Sequence, residues 1–350
     1  MCSVTAKRDL SPQQNRPHYC AICKRILEIL INANGTYVSG EHMSSELGIS
    51  RAAVWKHIKI LEGEGYEIES TSGIGYRMVV IPDVLDSKTI LYGLKTLRFG
   101  HQLEIYGTID STNSRAKRLA LDEASEGTVV IADTQSAGRG RLDRIWVSPA
   151  KKGLWLSVIL RPSIKPERAP ELTVLAAIAT VRALENFAGL NASIKWPNDV
   201  VINGKKLCGI LAESQAEPDV IRSIVMGIGI NVNMQRDDFP DELKDLATSL
   251  FIEKDKVFSR RELLLILLEN FEAIYDEYLK NNDLSPFLEF YKSRSVTLGR
   301  NVKVIARTSS FEGFALDIDK DGALLVRECD GSIRKILSAD VSVRGESGYV

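Results

Sequence analysis

Five extended runs fall between residues 127 and 233: "GTVVIAD", "GLWLSVIL", "ASIKWPNDVVI", "KLCGILAES" and "SIVMGIGINVN". The last three follow one another with no helix between them. A chain so arranged cannot alternate strand and helix throughout, and it predicts an α+β domain on a largely antiparallel or mixed sheet. "LEIYGTID" adds a strand upstream, and helices are expected over "NSRAKRLALDEA", "ELTVLAAIATVRALENFAG" and "RRELLLILLENFEAIYDEYLK". From Gly299 the chain changes character. "NVKVIART", "SFEGFALDID", "GALLVREC" and "IRKILSADVSV" alternate in short strands around Asp321-Gly322 and Asp330-Gly331, which predicts a small β-barrel.

The N-terminal part predicts a unit of its own. Helical periodicity runs from Ile22 to Asn32 and breaks at Asn34-Gly35. "GEHMSSEL" ends at Gly48, a residue suited to the left-handed position after a helix. Ser50 can cap a third helix, "RAAVWKHIKILEGE", in which Val54, Ile58 and Leu61 share one face. Two extended runs, "YEIES" and "YRMVV", joined by "TSGIG", complete the order of a winged helix-turn-helix. Arg51, Trp55, Lys56 and Lys59 fall off the buried face, where cations can hold phosphates while the helix N-terminus enters the major groove. The alternative is a solvated helix face, since residues 1–80 carry nine Lys/Arg against eight Asp/Glu. "IPDVLDSKTI" reads as a linker. The expected divisions are a disordered tail at 1–18, a winged domain at 19–82, a central domain at 83–298 and a barrel at 299–350.

Composition narrows the function. With 26% charged residues and a formal net charge of −1, no global field draws the chain to nucleic acid or membrane, so such binding must come from local patches. No run approaches the roughly 18 apolar residues a spanning helix needs. "MCSVTAKRDLSPQQNRPH" lacks the apolar core of a signal peptide, which points to the cytoplasm. Five cysteines make no disulfide framework at this length. Cys20 and Cys23 read as helix thiols rather than a zinc site, because four ligands are usual and His18 would supply only a third.

Common mechanisms fall away next. The histidines are His18, His42, His57 and His101, so a Ser–His–Asp or Cys–His system in the central domain would have to borrow one from far upstream. "INGKKL" is no Walker A loop, and in "MGIGINVN" Val232 stands where a dinucleotide fingerprint needs its third glycine. What remains is backbone amides, arginine, lysine and amide side chains, a set suited to a reaction between anions. Arg139, Arg141 and Arg144 sit in the glycine-bearing loop "QSAGRGRLDRIW", where guanidinium groups can grip phosphate or carboxylate with two N–H bonds. Lys195 precedes Trp196-Pro197, and the proline biases the backbone before it toward an extended form.

"DSTNSRA", "QSAGRGRLDRIWVSP", "GLWLSVILRP", "KWPNDVVINGKKLCGIL" and "GIGINVN" occur in the order found in the biotin–protein ligases. "SGEHMSSELGISRAAVWKHIKIL" resembles the DNA-binding half of the bifunctional ligase/biotin-operon repressors. The resemblance runs from about residue 19 to the end of the sequence. It implies a class II synthetase-like central sheet and an SH3-like C-terminal barrel. It also implies that biotin's carboxylate attacks the α-phosphate of ATP with Mg²⁺ present, and that a lysine of a biotin carboxyl carrier domain then takes the acyl group from biotinyl-5′-AMP. By position, Ser111, Thr112, Asn113 and Gln135 match the biotin pocket. Arg139, Gly140 and Arg141 match the biotin- and adenylate-binding loop, expected to be disordered when empty and closed over its ligand. Lys195 matches the lysine at the acyl-phosphate. Trp146 matches the aromatic on adenine, with a core role as its alternative, and Asn231 an adenine contact; Trp155 and Trp196 are expected in the core.

The best-known members read GRGRRG, whereas Leu142 and Asp143 follow Arg141 here. The resemblance further implies a homodimer on binding biotinyl-AMP, operator DNA as a partner, and "DVVINGKKL" as an interface edge. The competing readings are a transcription factor that senses an anion without catalysis, and a ligase for another acid such as lipoate.

Overall fold

The computed structural model describes residues 21–33, 35–63, 65–80, 83–217, 219–305, 310–337, 340–343 and 349. The expected tail at 1–18 and Cys20 lie outside them. The chain divides into two compact units, Met1–Tyr92 and Gly93–Val350.

In the first unit, α1 (Ala21–Asn32), α2 (Gly40–Leu47) and α3 (Arg51–Gly63) precede the hairpin of β1 (Glu67–Thr71) and β2 (Gly75–Val80). Ile26 and Leu30 of α1 and Val54, Ile58 and Leu61 of α3 form the core with Met43 of α2. Ser39 caps α2 by accepting from the His42 N–H at 3.0 Å, and Gly48 ends it with φ +65°. The sequence "IPDVLDSKTI" is not all linker. Asp86 accepts from the Thr89 N–H and hydroxyl, and this cap starts α4 (Ser87–Gly93).

The second unit is built on a seven-stranded sheet of order β3-β4-β5-β9-β8-β7-β6. Its strands are β3 (Leu103–Ile109), β4 (Val129–Gln135), β5 (Gly153–Leu160), β6 (Ser193–Lys195), β7 (Asp199–Ile202), β8 (Lys205–Ala216) and β9 (Ile221–Asn231). Only β3 and β4 run parallel, so the sheet is mixed. All eight residues of β5 are buried, the mark of a strand covered on both faces. On one face α5 (Thr112–Leu121) sets Ala116 and Ala120 against Val130, Ile159 and Val225. The long helices α6 (Ala169–Ala188) and α8 (Arg260–Asn281) pack on each other, with α6 against β7, β8 and β9. Two shorter helices, α7 (Leu250–Lys254) and α9 (Ser285–Arg294), follow the sheet.

Two expectations need correcting. "ASIKWPNDVVI" is a hairpin rather than one strand: Lys195 pairs with Asp199, Ile194 with Val200, and Trp196-Pro197-Asn198 turns the chain. Pro197 has no N–H for a ladder, which favours a turn there. That hairpin also places β7 between β6 and β8, so "DVVINGKKL" lies inside the sheet and the edges are β3 and β6.

The C-terminal strands β10 (Asn301–Ile305), β11 (Ser310–Ile318), β12 (Leu324–Arg327), β13 (Ile333–Ile336) and β14 (Asp340–Val343) form a five-stranded antiparallel sheet of order β13-β12-β11-β10-β14. Trp196, fully buried, ties it to the main sheet: its Nε1 donates to the Gly322 carbonyl at 3.1 Å. Among the described residues no helix is long and apolar enough to cross a membrane.

Candidate functional site

The site begins with three glycines on one face of the sheet. Gly209 on β8 pairs with Gly229 on β9, and Gly227 lies two residues along the same strand, hence on the same face. A Cβ on Gly227 would stand 2.1 Å from Asn113 Oδ1, and one on Gly229 2.5 Å from Trp146 Nε1. The "GIGIN" pattern is therefore a strand with its even positions in the core and its odd ones left bare for two other side chains to lie flat. Above it opens a cavity of about 330 Å³, lined by Ser111, Thr112, Asn113, Gln135, Arg139, Gly140, Arg141, Trp146 and Asn231 among others. That size suits a small-molecule ligand.

At one end, the start of α5 presents buried small polar groups. Ser111 caps the helix. Gln135 Oε1 accepts from the Thr112 N–H at 2.9 Å, while Gln135 Nε2 donates to Ser148 Oγ at 3.0 Å. Asn113 Nδ2 donates to Glu213 Oε2 at 2.9 Å, and its Oδ1 accepts from the Ser157 hydroxyl at 2.6 Å. A carboxylate only accepts, so Glu213 fixes which way the Asn113 amide faces. Burial raises the Glu213 carboxyl, but hydrogen bonds from Lys117 and Asn113 and the charge of Arg139 outweigh it and hold the group below its ordinary value. Its contribution is thus complete at neutral pH and is lost only on acidification through that lowered value. Glu213→Gln should release the amide and raise the KM for the acid bound here by roughly three- to tenfold, the scale of one charge-assisted hydrogen bond. Steady-state titration of that acid checks it.

The arginine loop closes the other side. Arg139 bridges Ile145, and the Gly140 N–H donates to the Arg144 carbonyl at 2.7 Å. Leu142 and Asp143 both take left-handed backbone, φ +54° and +55°. The family's glycine falls on the second of these, and aspartate tolerates that region better than most residues. Arg141 Nη1 donates to Asn198 Oδ1 at 3.2 Å, which ties the loop to the β6–β7 turn. Trp146 lies over Gly209 and Gly229, edge-on to Trp155 with 6.2 Å between ring centroids. Among the described residues its Nε1 has no hydrogen-bond partner. Asn231 is buried, with Nδ2 on the Thr248 carbonyl at 3.0 Å.

Lys195 is only 7% exposed and stands at the corner rather than on the open wall. Its Nζ donates to the Tyr349 carbonyl at 2.8 Å and lies 3.6 Å from that tyrosine's ring centroid; Tyr349 itself lines the cavity. The Tyr349 hydroxyl donates to Asp199 Oδ2, and Lys206 Nζ is 2.7 Å from Asp199 Oδ1. Of these, Asn198, Asp199, Lys206, Glu213 and Tyr349 escaped the sequence reading. Cys208 is fully buried and burial pushes its thiol up, which disqualifies it as a nucleophile at neutral pH. Among the described residues no cluster of three or more His, Cys, Asp or Glu could hold a metal ion.

In the first unit, the outer face of α3 matches expectation in geometry. Ser50 Oγ accepts from the Ala53 N–H at 3.2 Å, so the helix start is capped. Arg51 and Lys56 are exposed, and Trp55 is 54% exposed. Lys59 bonds Glu62 at 2.6 Å and lies 6.0 Å from the Trp55 ring. Cys23 is buried, with Sγ 3.2 Å from His57 Nδ1.

Comparison with known proteins adds the following. Residues 106–231 match the biotin/lipoate A/B protein ligase family, 24–77 an HTH domain and 297–344 the biotin protein ligase C-terminal domain. The chain is 45% identical over 320 residues to the bifunctional ligase/repressor BirA of Bacillus spizizenii, covering 91% of this chain and 98% of that protein. It is 32% identical to BirA of Escherichia coli, covering 90% and 96%. A biotin protein ligase from Aquifex aeolicus, solved with biotin and ATP, superimposes with a TM-score of 0.60 at 32% identity, over 70% of this chain and 99% of that one. With a relative this similar over almost its whole length, the chain belongs to the bifunctional ligase/repressor family of biotin protein ligases.

Proposed function

We propose that this chain joins biotin to a lysine of an acceptor protein in two steps at the cavity, and binds operator DNA when biotinyl-5′-AMP fills it. The observation that carries the reading is one cavity that combines a neutral amide-and-hydroxyl pocket, three loop arginines (Arg139, Arg141 and Arg144) and an indole over bare glycines. Ser111, Thr112, Asn113 and Gln135 suit the neutral ureido ring. Trp146 offers a face for adenine, with Asn231 beside it.

In the first step a biotin carboxylate oxygen forms a bond to the α-phosphorus, and the bond from that phosphorus to the departing pyrophosphate oxygen breaks. Two anions must meet, so Arg139, Arg141 and Lys195 neutralise charge that grows on the phosphoryl oxygens. In the second step the acceptor amine attacks the acyl carbon, AMP leaves, and the amine loses a proton. The lid of Arg139 to Trp146 keeps water from the mixed anhydride. Mg²⁺ usually keeps several waters and is held by phosphates plus one or two carboxylates. Asp199, the carboxylate on the described cavity wall, already meets Tyr349 and Lys206, so the phosphates themselves would hold most of the ion, which would supply further neutralisation of them.

For repression, α3 supplies Ser50, Arg51, Trp55, Lys56 and Lys59 to the DNA, and a dimer that forms on binding biotinyl-AMP meets a two-fold operator. The intermediate favours that state by its differential affinity for it. Arg51→Ala should weaken operator binding roughly tenfold, the scale of one lost contact, and leave ligation intact; a DNA titration beside a ligation assay checks both halves.

The test of the ligase reading is incubation with ATP, Mg²⁺, labelled biotin and a biotin carboxyl carrier domain. Label on the carrier's lysine is expected, and its absence ends the reading. Because the matched family also names lipoate, competition between the two acids decides the substrate; biotin should win.

A further inference from the structure

The cation that the sequence offered and the motif search dismissed is Lys206, in "INGKKL". It lies on β8, in the middle of the sheet, and its side chain lines the cavity. Its ammonium is 2.7 Å from the buried carboxylate of Asp199, 5.4 Å from the Trp146 ring centroid and 5.7 Å from that of Tyr349. Lys195 also approaches this tyrosine, at 3.6 Å from the same centroid. Lys206 is therefore a fixed charge on the cavity wall, near both the Trp146 indole and the Tyr349 ring that Lys195 also approaches.

We propose that Lys206 is a phosphate-binding residue for the nucleotide, held in place by Asp199 and used when ATP is the reactant. The proposal rests on the ligase reading above. A nucleotide whose base lies on Trp146 and whose α-phosphate reaches Lys195 must run its phosphates past this ammonium. The ammonium has three donors, and among the described residues Asp199 is its one ion-pair partner, which leaves N–H groups for phosphate oxygens. Unlike the loop arginines, Lys206 is carried by a paired strand, so it is in position before any lid closes.

The experiment compares the full chain with Lys206→Met and Lys206→Arg. The KM for ATP should rise about tenfold in Lys206→Met, with partial rescue by Lys206→Arg. The KM for biotin and the rate of transfer from supplied biotinyl-5′-AMP should stay within about twofold. If Lys206→Met leaves the KM for ATP unchanged, or slows transfer from supplied adenylate as much as the overall reaction, the proposal is overturned. A drop in thermal midpoint with normal ATP dependence would overturn it too, by reducing Lys206 to a structural ion pair. If the unaltered chain labels no acceptor, the ligase reading fails instead.

Discussion

Arg141→Ala should cut biotin-dependent adenylation by about 10²–10³-fold, the cost of removing one preorganised charge from a developing phosphoryl anion. The residue does two things at once. Its guanidinium reaches the cavity, and its Nη1 bond to Asn198 at 3.2 Å fastens the loop to the hairpin that carries Lys195 and Asp199. Loss of the side chain removes a charge and loosens the lid together, so the fall should appear in kcat as well as in KM. The winged unit, with its own core of Ile26, Leu30, Val54, Ile58 and Leu61, should stay folded. Its DNA binding should no longer respond to biotin and ATP. Pyrophosphate exchange and a DNA titration on the same preparation measure both, and full activity in this variant would remove Arg141 from the site.

Gly227→Ala and Gly229→Ala should divide the two substrates. Neither glycine has positive φ, so alanine suits the backbone and the effect comes from the floor alone. At Gly227 the new methyl meets Asn113 Oδ1 at 2.1 Å, and Asn113 cannot yield easily because Glu213, Leu211 and Ser157 all bond it. An amide displaced by about an ångström should raise the KM for biotin on the order of a hundredfold. At Gly229 the methyl meets Trp146, which is only half-buried on the loop and can move. There the KM for ATP should rise instead, by roughly tenfold, with biotin little affected. Substrate titrations of both variants check the split. If Gly227→Ala left biotin binding untouched, Asn113 would not belong to the biotin pocket.

Much of this was legible in residues because each signal had one physical meaning. Gly48 suited a helix end, Ser50 a helix start, and "GLWLSVIL" an extended run, and the structure has all three. "GIGIN" fails as a nucleotide fingerprint, yet its period of two is what bares one face of β9. The hairpin at Trp196-Pro197 was missed, although Pro197 marks the turn, because its arms of three and four residues are too short to read as separate strands. With it went Asn198 and Asp199, whose role depends on being brought opposite Lys195 and Gly209. Lys206 could not be found from its neighbours in sequence, since its partners, Asp199 and Trp146, are set by sheet register and by a loop. α9 was overlooked for a plainer reason: only Phe287 and Tyr291 of its ten residues are buried, too few to give a helical period.

The proposed chemistry needs opposing charges brought to one point, and a crystal structure with bound biotinyl-5′-AMP measures that directly. Arg139, Arg141 and Lys195 should lie within hydrogen-bond reach of the phosphate or acyl oxygens, with adenine on Trp146 and the ureido ring against Thr112 and Asn113. Side chains at 139, 141 and 195 pointing apart into solvent around that ligand would contradict it.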